Sequence, residues 1–337
     1  MSDDHHKAVS ADDKEGELPD IAADGGGENP AGPVIPGPGS GSMQLEEGSL
    51  PDGVFYRHWR VQTPRAVVLL VHGLGEHSGR YQHVAESLGL RGIAVLAPDH
   101  RGHGRSPGHR AHIDRFEDFY PPLDALRDLV EVHYSGLPCF IVGHSLGGLI
   151  VANYLLERQS RFSGAAFSGA AFAVPEPPGA AAIMINKLLA AVLPRLGVLQ
   201  LDASEVSRDP EVVRKYQEDP LVHSGKISAR LVVELFAALG NIEKRSAAIV
   251  LPVLVMHGDG DVMAAPRGSE QFHAGVGSGD KTLRIYPGLY HEIFNEPEQA
   301  QVLRELGDWL DNHIPDTDTD TDTDTDTAAA SSDVPVA

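Results

Sequence analysis

Ser145 stands in the run Gly143-His144-Ser145-Leu146-Gly147, between an apolar stretch (Phe140 to Val142) and a helix-like stretch (Leu149 to Arg158). A G-x-S-x-G pentapeptide in that setting reads as a nucleophile elbow: a strand ends, a sharp turn carries the serine at its tip, and a helix begins. Small residues are needed at Gly143 and Gly147 because strand and helix backbones approach closely there. The turn strains the serine and exposes its Oγ. The first amides of the helix point to where an oxyanion would form. The implied chemistry is nucleophilic attack on a carbonyl. A serine hydroxyl needs a histidine base for this, and the base needs an orienting acid.

With such an elbow, the acid and then the base follow along the chain. Two downstream segments fit. Pro252 to Asp261 (P-V-L-V-M-H-G-D-G-D) is a buried-strand pattern running into a Gly/Asp turn. Thr282 to Tyr286 is a strand followed by Pro287-Gly288-Leu289-Tyr290-His291-Glu292. Loops at the carboxyl ends of parallel strands are where such sheets do chemistry. The acid is Asp259 or Asp261. Asp259 directly follows Gly258 and suits a turn residue bonding its own backbone, which favours Asp261. His291 is the candidate base, since His273 and His313 fall in helical stretches and suit surface positions.

These residues, taken together, resemble the serine α/β-hydrolases, and within them the monoacylglycerol lipase and lysophospholipase-like branch, its bacterial members above all. The likeness rests on V-H-G-L-G-E-H-S-G-R-Y (71–81), A-P-D-H-R-G-H-G-R-S-P-G (97–108), G-H-S-L-G-G (143–148), H-G-D-G-D (257–261) and G-L-Y-H-E (288–292), with a further match over 207–225. It spans roughly residues 50 to 312. By matching position the resemblance implies a triad of Ser145, Asp261 and His291 and an oxyanion hole made by the Leu74 and Leu146 amides. It also implies a polar head-group end near Glu76 and Arg80, with His144 among the substrate-binding residues. The apolar run Ala66 to Val71 supports part of this independently, because the loop after it, at His72-Gly73, is where a second oxyanion donor is expected. The implied activity is ester hydrolysis of monoacylglycerols through an acyl-enzyme. Lysophospholipids or generic esters are the alternative substrates, and a non-catalytic ligand-binding relative is a remote third reading, disfavoured because all three triad residues are present. Epoxide hydrolases and dehalogenases place Asp at the elbow, which this chain does not.

No cofactor is expected. The histidines at 72, 77, 83, 100, 103, 109 and 112 show no zinc spacing and read as loop hydrogen bonders. Gly73-Leu74-Gly75 and Gly102-His103-Gly104 do not complete G-x-G-x-x-G, and no G-K-[ST] occurs, so nucleotide binding is not expected. The chain has 337 residues and a net charge of −21. Residues 1–47 carry 11 acidic and 2 basic residues, and residues 316–337 carry 7 Asp and no basic residue. The part between them is near −5, with no basic patch for nucleic acid. The Gly/Pro-rich acidic stretch 1–47 and the Asp-Thr repeat of 316–337 read as disordered, solvent-facing tails. The lone Cys139 precludes an intrachain disulfide. No signal peptide or transmembrane segment is visible, so a cytoplasmic location is expected, with association at a membrane surface left open.

The elements that must position the site follow from the alternation of apolar runs. Strand-like runs at 66–71, 93–97, 140–142, 165–168, 253–257 and 282–286 alternate with helix-like runs near 81–91, 119–133, 146–158, 267–274 and 297–312. This predicts an α/β-hydrolase domain over 48–315, a mostly parallel central sheet with helices on both faces. Residues 55–61 alternate and suggest an extra strand at a sheet edge. The pattern breaks between about 173 and 250, which predicts a helical cap inserted over the serine. Its first helix, Ala180 to Leu193, is apolar over most of its circumference. It either packs on the core or lines an acyl tunnel with its outer side on lipid; the two are not exclusive.

Overall fold

The computed structural model describes residues 43–315. Along them run β1 (Gln44–Ser49), β2 (Phe55–Arg60), β3 (Ala66–Val71), α1 (Gln82–Gly89), β4 (Ile93–Pro98), α2 (Tyr120–His133), β5 (Cys139–His144), α3 (Leu146–Arg158) and β6 (Gly164–Ser168). There follow α4 (Ala180–Val192), β7 (Gly197–Leu199), α5 (Pro210–Glu218), β8 (Ile227–Ser228), α6 (Ala229–Arg245), β9 (Val253–Gly258), α7 (Pro266–Gly275), β10 (Lys281–Tyr286) and α8 (Gln299–Asn312). Eight strands form one sheet in the order β1-β2-β4-β3-β5-β6-β9-β10. From β4 to β10 the neighbours are parallel; β1 and β2 are antiparallel additions. This is the α/β-hydrolase fold.

The strands β3, β4, β5, β6 and β9 are buried at every position because helices cover both faces. Alternation is hidden within these apolar runs. In β3, Ala66, Val68 and Leu70 join Val84 of α1 and Leu306 of α8, while Val67, Leu69 and Val71 join Leu123 of α2 and Leu149 of α3. Cys139 is buried at the start of β5, and burial pushes its thiol up to about 12.

Two expectations need correction. Residues 55–61 do not form an edge strand: β2 is flanked by β4 and by β1. Residues 44–47, read as part of the acidic tail, belong to β1, whose six pairs run from Gln44 opposite Arg60 to Ser49 opposite Phe55. β1 shows no apolar alternation because it is an exposed edge. Its acids are used in ion pairs instead: Glu46 with Arg60 at 2.9 Å and Glu47 with Arg105 at 2.7 Å. A charged edge also resists further strand pairing. The remainder of the two tail readings, 1–42 and 316–337, lies outside the described residues.

The insertion between β6 and β9 is not uniform. α6 is built into the main core, with Leu231, Val232 and Ile242 in the same cluster as α3. Its Asn241 donates to Asn153 of α3 at 2.8 Å. α4 differs: only its Ala190 is buried, while Met184, Ile185, Leu188 and Val192 are exposed. The reading in which α4 simply packs on the core is therefore set aside.

A chain beginning at Leu50 should melt at least about 2–4 °C below one beginning at Met43. Losing the β1 ladder and its ion pairs should exceed about 1 kcal/mol, worth roughly 2–4 °C in a domain of this size. Equal melting temperatures by calorimetry would mean that β1 adds nothing to stability.

Candidate active site

β5 delivers Ser145 and α3 departs from it. Ser145 has φ 52 and ψ −119, and only Ala111 shares a positive φ among the described non-glycine residues. Such backbone costs about 1–3 kcal/mol and persists only where the surroundings impose it. Here the Ser145 amide donates to the Ser168 carbonyl at 3.0 Å, and the Ser145 carbonyl accepts from the Ala171 amide at 3.0 Å. Glycine is required on either side. A Cβ at Gly147 would lie 2.0 Å from the Val71 carbonyl oxygen, and one at Gly143 would lie 2.6 Å from that of Gly147.

The loops after β9 and β10 bring the other two candidates to the serine. The Ser145 hydroxyl donates to His291 Nε2 at 2.8 Å, and His291 Nδ1–H donates to Asp261 Oδ2 at 2.7 Å. Burial opposes the charge on Asp261, but His291 and the hydrogen bonds from His257 and His291 outweigh it, holding the carboxyl well below its usual range. Burial likewise opposes protonation of His291, yet the Asp261 charge overrides it and raises the imidazole above its ordinary value. Asp259 is not part of this series. Its Oδ1 accepts from the Gly288 amide at 2.5 Å, so it clasps the base-bearing loop instead of bonding its own backbone.

Leu146 opens α3, where a first-turn amide has no intrahelical acceptor. Leu74 follows Gly73, which packs directly on the serine: a Cβ there would sit 3.1 Å from Ser145 Cβ. Among the described residues neither the Leu74 nor the Leu146 amide is spent on another group.

Glu76 and Arg80 are put to a different use from the one expected. Glu76 is buried and the Arg80 side chain is only 10% exposed, and charges so placed must find partners. Glu76 Oε1 accepts from the Gly73 amide and the Tyr81 hydroxyl, each at 2.6 Å, and Oε2 accepts from Arg80 at 2.8 Å. Arg80 also makes a two-pronged pair with Glu292, at 2.5 and 2.7 Å, and stacks on the Tyr216 ring. The group ties the loop after β3 to the loop bearing His291 and commits three of the five Arg80 N–H donors. His144 is similarly occupied. Its Nδ1–H donates to the Ser168 carbonyl at 2.9 Å, and burial lowers it to about 3, so it is a neutral wall 4.9 Å from the His291 ring.

Other histidines of the early loops hold the frame. The His100 amide donates to His72 Nε2 at 2.9 Å, and His100 Nε2–H donates to the His72 carbonyl at 3.0 Å. Both rings are kept neutral by burial, His100 at about 3. Sequence reasoning missed His257, which bonds Asp261 at 2.9 Å, and Glu292. Both lie inside motifs already singled out, but only their side-chain directions reveal what they do.

Two cavities reach the loops that flank these residues. One of ≈ 930 Å³ lies under α4, walled by Ile183, Ile185, Leu189, Leu199, Phe236 and Met263 among others. A second, of ≈ 430 Å³, reaches Leu74 and Gly75 and is walled opposite by Tyr216, His223 and Ser224. They share Gln200, Leu201, Asp202 and Met263, the last of these two residues beyond Asp261. Ser145 is in neither wall; its hydroxyl is turned onto His291.

Comparison with known proteins points the same way. The family described as serine aminopeptidase, S33, matches residues 62–298. A monoacylglycerol lipase of Mycolicibacterium smegmatis is 40% identical over 262 residues, covering 77% of this chain and 94% of that protein. The crystal structure of Paleococcus ferrophilus monoacylglycerol lipase superposes with a TM-score of 0.69 at 34% identity, over 81% of this chain and 99% of the other. A soluble variant of Saccharomyces cerevisiae monoglyceride lipase, solved with a substrate analogue, gives a TM-score of 0.71 at 27% identity, over 82% and 96%.

Ser145→Ala should lower kcat for ester hydrolysis by roughly 10⁴-fold or more with the melting temperature preserved. Asp261→Asn should cost about 10⁴-fold through a misoriented His291, and Asp259→Asn far less. A folded Ser145→Ala protein with a tenth of normal activity would overturn the serine mechanism. The pH profile supplies a third check. His291 is a base only when neutral, so kcat/KM falls as pH drops through its pKa, which is raised above 6.5. An acid limb centred above pH 6.5 is expected, and one below pH 6 would contradict the Asp261–His291 pairing.

Proposed function

The chain belongs to the α/β-hydrolase family described as serine aminopeptidase, S33, and on that premise we propose that it cleaves the ester bond of monoacylglycerols to glycerol and a free fatty acid, with Ser145 as nucleophile. The observation that carries the proposal is the Ser145–His291–Asp261 series together with an apolar cavity of ≈ 930 Å³ whose wall takes in Val262 and Met263, next along the chain from Asp261. That volume is at the upper end of the roughly 300–1,000 Å³ that holds one small ligand, which suits a single acyl chain. Similarity to monoacylglycerol lipases over most of the chain supports the same substrate class.

His291 takes the Ser145 proton as Oγ attacks the ester carbonyl. The Leu74 and Leu146 amides receive the negative charge on the carbonyl oxygen. Asp261 keeps the His291 proton on Nδ1 and stabilises the charged ring. The tetrahedral adduct collapses, His291 protonates the departing glycerol oxygen, and the acyl group stays on Ser145. Water, deprotonated by His291, then attacks the acyl-enzyme and releases the fatty acid.

The outer face of α4 meets the lipid surface that supplies the substrate. Met184, Leu188 and Val192, which lie outside the cavity wall, are 65–69% exposed. No helix among the described residues is long and apolar enough to cross a membrane, so the contact is superficial. The chain is strongly acidic, so apolar burial and not charge must drive it. Each such side chain contributes about 1.5–3 kcal/mol on full burial.

kcat/KM for monoolein should exceed that for triolein and for lysophosphatidylcholine by at least about tenfold, since three chains cannot share one cavity. Equal rates on triolein and monoolein would leave only a general lipase, and faster cleavage of lysophosphatidylcholine would make the chain a lysophospholipase. Leu188→Asp should weaken sedimentation with phosphatidylcholine vesicles while leaving kcat/KM for soluble monobutyrin within about twofold. Unchanged sedimentation would remove α4 as the lipid contact.

A further inference from the structure

Asp261 is where two histidines meet. Its Oδ1 accepts from the Met263 and Ala264 amides, at 2.8 and 2.9 Å. Its Oδ2 accepts from His291 Nδ1 at 2.7 Å and from His257 Nε2 at 2.9 Å. A carboxylate offers about four lone-pair sites, and here every one is filled. His257 Nε2 faces two acceptors, Asp261 Oδ2 and the Ala264 carbonyl at 3.1 Å, so that nitrogen carries hydrogen. The opposite nitrogen, Nδ1, lies 2.7 Å from the Ser269 hydroxyl on α7. His257 and Ser269 are completely buried. A hydrogen-bonded line thus runs Ser269, His257, Asp261, His291, Ser145, from α7 on one side of β9 to the elbow.

Resting on the serine-hydrolase reading above, we propose that His257 is a positioning residue of the triad: its Nε2–H shares Oδ2 with the base and so sets how tightly Asp261 holds His291. An acceptor shared between two donors binds each less strongly than it would bind one alone. The second donor also fixes the carboxylate plane, since three of its four bonds come from its own strand and loop. Without His257 the buried charge of Asp261 falls mainly on His291. The base is then more firmly held in its charged form, and its aim at Ser145 is less well fixed. The groups facing His291 are Asp261 on the β9 loop, His144 at the end of β5, Glu292 on its own loop, and Glu76 with Arg80 after β3. None of the others touches Asp261, whose charged or titratable partners are His291 and His257.

The test is the pH dependence of kcat and kcat/KM on monolaurin, with fluorophosphonate labelling of Ser145 followed over the same range. In H257L kcat should fall about tenfold or more with KM within about threefold, and the acid limb should move up by about half a pH unit or more. H257Q, whose amide N–H can stand where Nε2 stands, should bring the limb back towards that of the unaltered protein. S269A, which removes only the partner of Nδ1, should move the limb the same way by less, and it carries the test if H257L does not fold. A limb that stays in place in folded H257L, or in S269A should H257L not fold, overturns the proposal, as does H257Q behaving like H257L. Absence of labelling in the unaltered protein would instead bring down the serine mechanism, and this proposal with it.

Discussion

The close approach of three backbones at the elbow is the constraint on which the rest depends. At Gly147 the first turn of α3 presses on the end of β3, leaving no room for a side chain against the Val71 and His72 carbonyls. Because α3 cannot retreat, Ser145 must take its positive φ, and its Oγ is thrust above the ends of the strands. The same contact places the His72-Gly73-Leu74 loop beside the serine. The loop that carries the candidate oxyanion donor therefore needs no separate device to reach Ser145. Parallel strands then bring the β9 and β10 loops to the same end of the sheet, where an acid and a base can close the series.

Around this frame, charge is buried and compensated with little surplus. Glu76, Glu292 and Arg80 form one cluster, and Asp99 another, accepting from Ser78 and from the Arg105 amide. Removing one member of such a pair typically costs about 3–5 kcal/mol, because the remaining charge is left without a partner. The acidity of the chain as a whole is thus a poor guide to the site, where the acids are committed to particular donors.

Much of the fold could be read from the sequence because the inner strands are uninterrupted apolar runs and the helices between them are long enough to show their period. The placing of Ser145, Asp261 and His291 was legible for a related reason: each follows a strand by no more than five residues, in a run of distinctive residues. What stayed hidden depends on partners remote in sequence. Arg80 and Glu292 are 212 positions apart, and nothing near Arg80 announces that its guanidinium pairs with the loop that carries His291. β1 was hidden because an exposed edge strand carries no apolar alternation, and its acids looked like an extension of the tail. The helical segment before β9 gave no sign that α6 belongs to the core while α4 stands out from it.

Cys139 lies on β5, the strand that carries the elbow, and is the only thiol in the chain. With the sulfur buried and its ionisation pushed up to about 12, essentially no thiolate exists at neutral pH to meet a reagent while the sheet is closed. Reaction of a thiol-specific dye must then await the opening of β5 from its neighbours. The rate of that reaction measures how often the central sheet opens, independently of substrate turnover. The chain carries its own single-site gauge of local unfolding, located on the strand that leads into Ser145.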